Sequence, residues 1–335
     1  MNKELHRCNI FLLLFIVFEF SSVHFCFSQS VSEETGSVKF ISVWPSNNHQ
    51  KSNVSISKKV KDVVLGKNSF KLIKPVSLLH ENNSYWVLDQ ESKKIVESND
   101  DDYKTPKFIE KEKLDLASLV SITNFKSKKM LVVDSYLNEI FVIDRANKKF
   151  SKLNDSLALD RPTGIAYSTI TNKIWVVETG KHRLLMLNQF GKVEKVVGGR
   201  GKGNGQFNFP TSIAADLLGN IYVVDAMNFR VQVFSKEGDW KNSFGSNGDV
   251  TGSFASPKGI ALDSYGHIFI VDALFNAVQV FDKQGNFLYT FGQQGRDNGQ
   301  FWMPSGIFID NENRIYVADS YNSRIQEFQL MMGEK

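Results

Sequence analysis

Short apolar runs alternate with turn-forming residues along most of the chain. From Pro257 onward, for example, the runs GIALD, HIFIVD, AVQVF and NFLYTFG are separated by turns that contain glycine. Short runs rich in Val, Ile, Phe and Tyr favour β-strands, and Gly and Asn between them favour tight turns. After residue 30 no stretch shows the sustained periodicity of an amphipathic helix. The pattern therefore predicts an all-β protein.

The apolar pattern is repeated. Four clear copies begin at Pro162, Pro210, Pro257 and Pro304, and two weaker copies begin at Pro75 and Leu116. In every copy an acidic residue ends the second apolar run, and we call these residues the acidic column: Asp89, Asp134, Glu178, Asp225, Asp272 and Asp319. Four strands repeated every 44 to 47 residues are typical of a propeller blade. Six copies predict a six-bladed β-propeller of four-stranded blades.

The last copy lacks its fourth strand, since the chain ends at FQLMMGEK soon after the third. Residues 60–66 (VKDVVLG) resemble the fourth strand KVEKVVG of residues 192–198. We therefore predict that residues 60–66 complete the sixth blade and close the ring, which removes two open sheet edges. On this prediction the propeller spans residues 59–335. Residues 29–58, rich in Ser, Asn and Lys, are predicted to be a flexible spacer, with docking of its apolar patch, residues 38–44, onto the ring as an alternative for that patch.

The first residues are typical of a secretory signal. Lys3 and Arg7 precede the apolar run IFLLLFIVF, and small and aromatic residues follow it. The run is too short to span a bilayer, so we predict a signal peptide over residues 1–28 and a secreted, periplasmic or cell-surface protein. An uncleaved anchor is the alternative. Both cysteines, Cys8 and Cys26, lie in this segment, so the mature chain is predicted to lack disulfides.

A structural explanation of the acidic column is favoured over metal binding. A cation follows five residues later in four copies, as Lys94, Arg183, Arg230 and Arg324. A carboxylate can meet such a cation across a tight turn, and it can accept the N–H groups of the turn. Asp134 with Glu139 is the one carboxylate pair that merits a metal test. No metal and no cofactor are predicted.

Three segments between strands also carry a prediction. The glycine-rich stretches of residues 198–207 and 292–301 are predicted to connect blades, with Phe207, Phe254 and Phe301 packed between neighbours. They lead into strands and not helices, so they do not indicate phosphate loops. The charged residues 97–115 are predicted to form an irregular insertion in blade one.

The repeated PxGIA, GNIYVxD, NxRVQVF and GxFxxSFG patterns resemble those of the NHL-repeat family. The resemblance implies a six-bladed propeller. Some propellers of this kind are enzymes: amidating lyases use histidine-bound zinc, and gluconolactonase-like hydrolases use acidic ligands at the channel mouth. Here no His, Asp or Glu leads into an inner strand, and His80, His182 and His267 fall in three different columns. No catalytic residue is therefore predicted, although a Ser-His-Asp arrangement stays open.

Strand order places the turns after the acidic column and the entries to the inner strands on one side of the ring, which we call the entry face. Candidate ligand-binding residues lie there: Tyr136, Lys181, His182, Phe229, Lys258, Phe275 and Tyr321. The alternative is that their aromatic rings fold inward between blades. The turns of the opposite face look polar or glycine-rich, so they are expected to offer little apolar area.

The predicted function is that of an exported, non-catalytic NHL-repeat propeller that binds a protein, peptide or glycan on the entry face. A propeller lyase or hydrolase is the alternative. Some NHL propellers of cytoplasmic regulators bind RNA, but predicted export and a net charge of only +4 argue against nucleic acid here.

Overall fold

The computed structural model describes residues 37–45, 71–99, 107–109 and 115–331. These residues form six antiparallel sheets of four strands each. The first strand of each sheet contacts the first strands of the two neighbouring sheets, and the sixth contacts the first, so the sheets form a closed ring. The fold is an all-β six-bladed propeller, as the repeats predict.

The strands follow the chain blade by blade, except at the closure. Blade one contains β2 (Pro75–Glu81), β3 (Ser84–Asp89), β4 (Lys94–Asn99) and β5 (Lys107–Ile109). Blade two contains β6 (Leu119–Phe125), β7 (Lys129–Asp134), β8 (Glu139–Asp144) and β9 (Phe150–Lys152). Blade three contains β10 (Pro162–Ser168), β11 (Lys173–Glu178), β12 (Arg183–Leu187) and β13 (Val193–Gly198).

The last three blades repeat this arrangement. Blade four contains β14 (Pro210–Ala215), β15 (Ile221–Asp225), β16 (Arg230–Phe234) and β17 (Trp240–Phe244). Blade five contains β18 (Pro257–Leu262), β19 (Ile268–Asp272), β20 (Ala277–Phe281) and β21 (Phe287–Phe291). Blade six contains β22 (Ile307–Ile309), β23 (Arg314–Asp319), β24 (Arg324–Met331) and β1 (Ser37–Trp44).

The core lies between the blades, because both faces of each second strand are covered. Every residue of β15 and of β19 is buried, which explains their continuous apolar sequences. Phe207, Phe254 and Phe301 are fully buried between neighbouring blades, as predicted. Gly292, with φ +88°, makes room for one of these rings: a Cβ there would lie 2.3 Å from Phe301.

The ring is closed by an N-terminal strand, but by a different one from residues 60–66. β1 pairs with β24 along its whole length, with Val38 opposite Leu330 and Trp44 opposite Ile325. Residues 60–66 lie outside the described residues. The strand at 37–44 alternates inward Val38 and Phe40 with exposed positions, and its side chains pack on the cores of blades five, six and one. Because this alternating segment lies in a Ser-rich part of the chain, the sequence predicts it as part of the spacer.

The charged segment of residues 97–115 is not wholly irregular. Its first three residues end β4, and residues 107–109 form β5, the outer strand of blade one. Charged residues interrupt the hydrophobic pattern around this strand, so the sequence does not predict it. The predicted signal peptide lies outside the described residues, and within those residues no helix is long and apolar enough to cross a membrane.

Candidate functional site

The six carboxylates of the acidic column are buried and hydrogen-bonded. Asp272 accepts backbone N–H groups from Ala255 at 2.8 Å and from Leu274 at 3.1 Å, and so ties the strand entry to the turn. Asp134 accepts the equivalent N–H groups of Ala117 and Tyr136. The structural explanation of the column therefore accounts for these contacts.

Where an arginine follows five residues later, it pairs with the carboxylate. The Arg230 Nε lies 2.9 Å from Asp225 Oδ2, and the Arg324 Nε lies 2.7 Å from Asp319 Oδ2. Each arginine also donates to carbonyls of the preceding connection, as Arg324 does to Gln300 O at 2.8 Å. In these blades the carboxylate and arginine hold the turn and the connection together.

Asp134 and Glu139, the pair that merited a metal test, face each other across β7 and β8 but have separate partners. Asp134 is committed to backbone N–H groups, whereas Glu139 pairs with Lys152 at 2.5 Å. Across the described part of the chain, no three His, Cys, Asp or Glu residues are grouped so that they could hold a metal ion.

The described residues of the inner strands line a channel along the ring axis, with a cavity of about 600 Å³. Each blade contributes one residue at the entry-face mouth, in its first strand or just before it, and we call these residues the mouth ring: Val76, Val120, Thr163, Thr211, Lys258 and Ser305. In blade two the strand begins at Leu119, so Val120 belongs to the mouth ring and Ala117, which the sequence predicts there, does not. Lys258 is the one charged member of the mouth ring.

Hydroxyl groups join blades at two points of the mouth ring. In blade three, Thr179 Oγ1 lies 2.6 Å from Thr163 Oγ1 and donates to Pro210 O of blade four. In blade six, Ser320 Oγ lies 2.6 Å from Ser305 Oγ and donates to Pro75 O of blade one. Two of the three mouth-ring hydroxyls are thus engaged in holding blades together.

The inner strands approach one another closely just below the mouth. A Cβ at Gly259 would lie 2.6 Å from Ser305 O, and one at Gly306 would lie 2.3 Å from Val76 O. This crowding gives a physical reason for the Gly in the PxGIA pattern. The channel wall is therefore rigid at the point where a ligand would enter.

The structure distributes the seven predicted ligand-binding residues unevenly. Tyr136 and Tyr321 are 77% and 55% exposed, Lys258 is exposed, and Lys258 and Tyr321 both line the channel. Phe229 and Phe275 are half-buried, and Phe229 packs on the core between blades four and five. Phe229 therefore packs inward between blades, as the alternative prediction for the aromatic rings has it.

Lys181 and His182 serve the turn of blade three. The Lys181 Nζ pairs with Glu178 at 3.0 Å. The buried His182 accepts a hydrogen bond on Nδ1 from the backbone N–H of Phe209 at 3.0 Å. Burial, with Arg200 and Arg161 nearby, lowers the pKa of His182 below its ordinary value, which keeps the ring neutral and able to accept.

Sequence reasoning missed two exposed apolar residues of the entry face. Met227 and Leu274 are 54% and 58% exposed and stand two residues after Asp225 and Asp272, at the position that Tyr321 holds after Asp319. The sequence pattern favours the aromatic residues nearby. Alignment of the blades on the acidic column indicates this position, two residues after each acidic residue. We call Met227, Leu274 and Tyr321 the apolar arc, since they occupy equivalent positions in three consecutive blades.

Blade six adds a stack of side chains to the entry face. The Arg296 guanidinium lies 4.8 Å from the ring centre of Trp302, whose ring lies 5.9 Å from that of Tyr321. The planes of the Trp302 and Tyr321 rings are tilted by 46° relative to one another. Arg, Trp and Tyr are the residues that most often dominate binding energy at interfaces.

The expectation that the opposite face offers little apolar area is wrong. Its turns expose Leu217 and Leu218 at 72% and 74%, and they also expose Ile170, Phe190 and Tyr265. These apolar residues lie next to the Gly, Asn and Asp residues that form the turns. The prediction was based on those turn-forming residues and not on their apolar neighbours. Apolar exposure alone therefore does not distinguish the two faces.

The three histidines of the repeats have separate partners. His80 is buried against Tyr316, with Nδ1 2.9 Å from the hydroxyl oxygen. His267 bonds through Nδ1 to Asp263 at 2.7 Å, and the partner of His182 is Phe209. As the three sequence columns predict, no two of these histidines share a site.

These features define a six-bladed propeller with a rigid channel and one mouth bordered by apolar and cationic side chains. The NHL repeat pattern matches residues 207–234, and a family described as 6-bladed beta-propeller matches residues 262–334. The chain is an NHL-repeat six-bladed β-propeller. A comparison with curated protein sequences gives no match.

Solved structures of several propellers are similar. An auxiliary nutrient binding protein from Bacteroides thetaiotaomicron has a TM-score of 0.62 and 12% identity, over 78% of this chain and 70% of that one. Virginiamycin B lyase from Staphylococcus aureus has a TM-score of 0.57 and 14% identity, over 79% of this chain and 99% of that one. Since one is described as a binding protein and the other as a lyase, the shared fold does not decide the function.

Proposed function

We propose that this protein is an exported, non-catalytic binding module that engages a protein, peptide or glycan at the entry face. The observation that carries the proposal is the mouth of the channel. There Tyr321, which belongs both to the apolar arc and to the stack with Arg296 and Trp302, lines a cavity of about 600 Å³. Exposed aromatic residues next to a concave site are typical of binding surfaces.

The residues of the channel wall favour binding over the lyase or hydrolase alternative. Among the described residues that line it, Lys74 and Lys258 are the charged ones, and none is His, Asp or Glu. Acid–base catalysis and metal ligation in a channel both depend on such residues. The mouth-ring hydroxyls of Thr163 and Ser305 already donate to carbonyl groups of neighbouring blades, at Thr211 O and Val76 O.

Location outside the cytoplasm is part of the proposal. It rests on the signal-like sequence of residues 1–28. The auxiliary nutrient binding protein of similar fold is consistent with a binding role of this kind. Mass spectrometry of the N-terminus of the mature protein would test cleavage after Ser28.

The face can be tested with two matched double variants. Leu274→Ala with Tyr321→Ala truncates the entry face, and Leu217→Ala with Leu218→Ala truncates equally exposed residues of the opposite face. Each immobilised protein is exposed to a secreted or cell-surface extract, and the retained molecules are quantified. We expect the amount of retained ligand to fall at least tenfold for the entry-face variant and to stay unchanged for the opposite-face variant. The reason is that hot-spot residues contribute most of the binding energy.

Far-ultraviolet circular dichroism of both variants would verify that the fold is kept. Loss of retention by the opposite-face variant, with full retention by the entry-face variant, would overturn the assignment of the face.

A further inference from the structure

The mouth ring is not symmetric. Blades three and six carry Thr179 and Ser320 directly after the acidic residue, and these hydroxyls bond to the neighbouring blade. Blades four and five carry Ala226 and Ala273 at the same position. In blade five the exposed Lys258 therefore has no hydroxyl partner at the position that Thr179 and Ser320 hold in blades three and six.

Within the described residues, Lys258 makes no hydrogen bond or ion pair, although most other cations near the acidic column do. Arg183, Arg230 and Arg324 each pair with a buried carboxylate. The six carboxylates of the column all have backbone or arginine partners, so none is left to neutralise Lys258. Lys74, the other charged residue lining the channel, adds a second positive charge to the same cavity.

We propose that the channel mouth binds a carboxylate group of an acidic peptide segment, with Lys258 as its principal partner and Lys74 as a second cation. This inference rests on the proposed function and names the ligand of the same face. The low-dielectric walls of a cleft focus the field of its charges, so two unpaired lysines make the mouth attractive to anions. A cationic or metal ligand finds no carboxylate on the described channel wall.

A peptide fits the surroundings of Lys258 better than a glycan does. The neighbouring apolar arc of Met227, Leu274 and Tyr321 offers flexible and aromatic apolar area, which complements apolar side chains. One extended peptide can supply both an acidic side chain and the flanking apolar ones. The structure thus assigns the carboxylate to the mouth and the apolar neighbours to the arc.

The test uses a library of short random peptides displayed to the immobilised full chain. We expect the retained peptides to be enriched in Asp or Glu with apolar neighbours. One enriched peptide and its counterpart with Asp replaced by Asn are then titrated by fluorescence anisotropy at low and high salt. The acidic peptide should bind about tenfold more tightly at low salt, because a charged hydrogen bond is lost in the amide. This advantage should shrink in salt.

Variants at Lys258 identify its role. Lys258→Gln should abolish the preference for the acidic peptide, and Lys258→Arg should restore most of it. Lys283→Gln is the matched control, since Lys283 is an exposed lysine of the same blade on the opposite face. Equal preference for the acidic peptide in wild type and Lys258→Gln would overturn the inference.

A parallel glycan array separates failure of the inference from failure of the proposed function. Retention of glycans without any peptide would contradict the peptide carboxylate while leaving the proposed binding function intact. Retention of neither class would contradict the inference, and it would contradict the proposed function as well if the extract also yielded no retained ligand.

Discussion

The buried carboxylates of the acidic column are the residues on which each blade most depends. Asp225 joins a strand entry, a turn and an arginine through Asn208 N at 2.7 Å, Asn228 Nδ2 at 2.8 Å and Arg230 Nε at 2.9 Å. Removing one member of a buried ion pair leaves the other charge without compensation. The column therefore contributes to the fold.

Asp225→Ala is expected to lower the free energy of unfolding by about 3 kcal/mol, since Arg230 and the backbone N–H of Asn208 lose their acceptor. Asp225→Asn should cost less, because its amide oxygen can still accept. Urea denaturation measures both. Asp249→Ala, at an exposed position, is the control and should change stability by less than about 0.5 kcal/mol. Full stability of Asp225→Ala would contradict the structural role.

His267 gives a pH dependence with a definite sign. Its hydrogen bond to Asp263 raises the pKa of His267 above its ordinary 6.5, and the charges of Asp263 and Asp282 act in the same direction against burial. Because the folded-state pKa exceeds the unfolded one, the contribution to stability is complete below about pH 6.5. It is lost as the pH rises through the folded-state pKa.

Urea denaturation at several pH values should therefore show a stability loss in the wild type above about pH 6.5 that is absent in His267→Asn. An identical pH profile in the two proteins would show that the ion pair with Asp263 contributes nothing.

At the scale of elements, β1 is the strand on which closure depends. Trp44 is fully buried, and its ring stacks on Tyr85 of blade one with centres 5.7 Å apart. The same strand pairs with β24 of blade six. β1 thus joins the last blade to the first in both its backbone and its side chains.

Trp44→Ala is expected to destabilise the protein by about 3–5 kcal/mol, the usual cost of emptying a large aromatic site. Ile41→Ala on the same strand is the control, because Ile41 is largely exposed and should change stability by less than about 0.5 kcal/mol. Thermal unfolding measures both. Equal midpoints for the two variants would contradict closure by this strand.

The sequence predicts the repeated elements well and the unrepeated ones poorly. Blades three to six follow from patterns such as PTSIAAD and PKGIALD, and Gly259 of the second pattern has a geometric reason in the close approach of the neighbouring inner strand. The sequences of β1 and β5 do not match the repeated pattern of the other strands. The alternating run SVKFISVW of β1 is therefore predicted as part of the spacer. Side-chain exposure was harder still, since it depends on packing across blades: Leu274 is exposed while the adjacent Phe275 is half-buried.

At the scale of the whole molecule, the two faces of the ring differ in what surrounds their apolar residues. The entry face combines the apolar arc, the Arg296–Trp302–Tyr321 stack and the unpaired Lys258 around the mouth of the channel. The opposite face exposes apolar residues on turns, as at Leu217 and Leu218. Its smaller cavity of about 190 Å³ is lined by residues that bond one another, such as Arg314 and Asp310.

The most direct test of the binding account is a lysine crosslinking map of the protein with the ligand that it retains. Lys74, Lys181 and Lys258 mark the entry face, and Lys236 and Lys283 mark the opposite face. A peptide or protein ligand is expected to crosslink to Lys74, Lys181 or Lys258 of the entry face. Crosslinks confined to Lys236 and Lys283 would contradict the account.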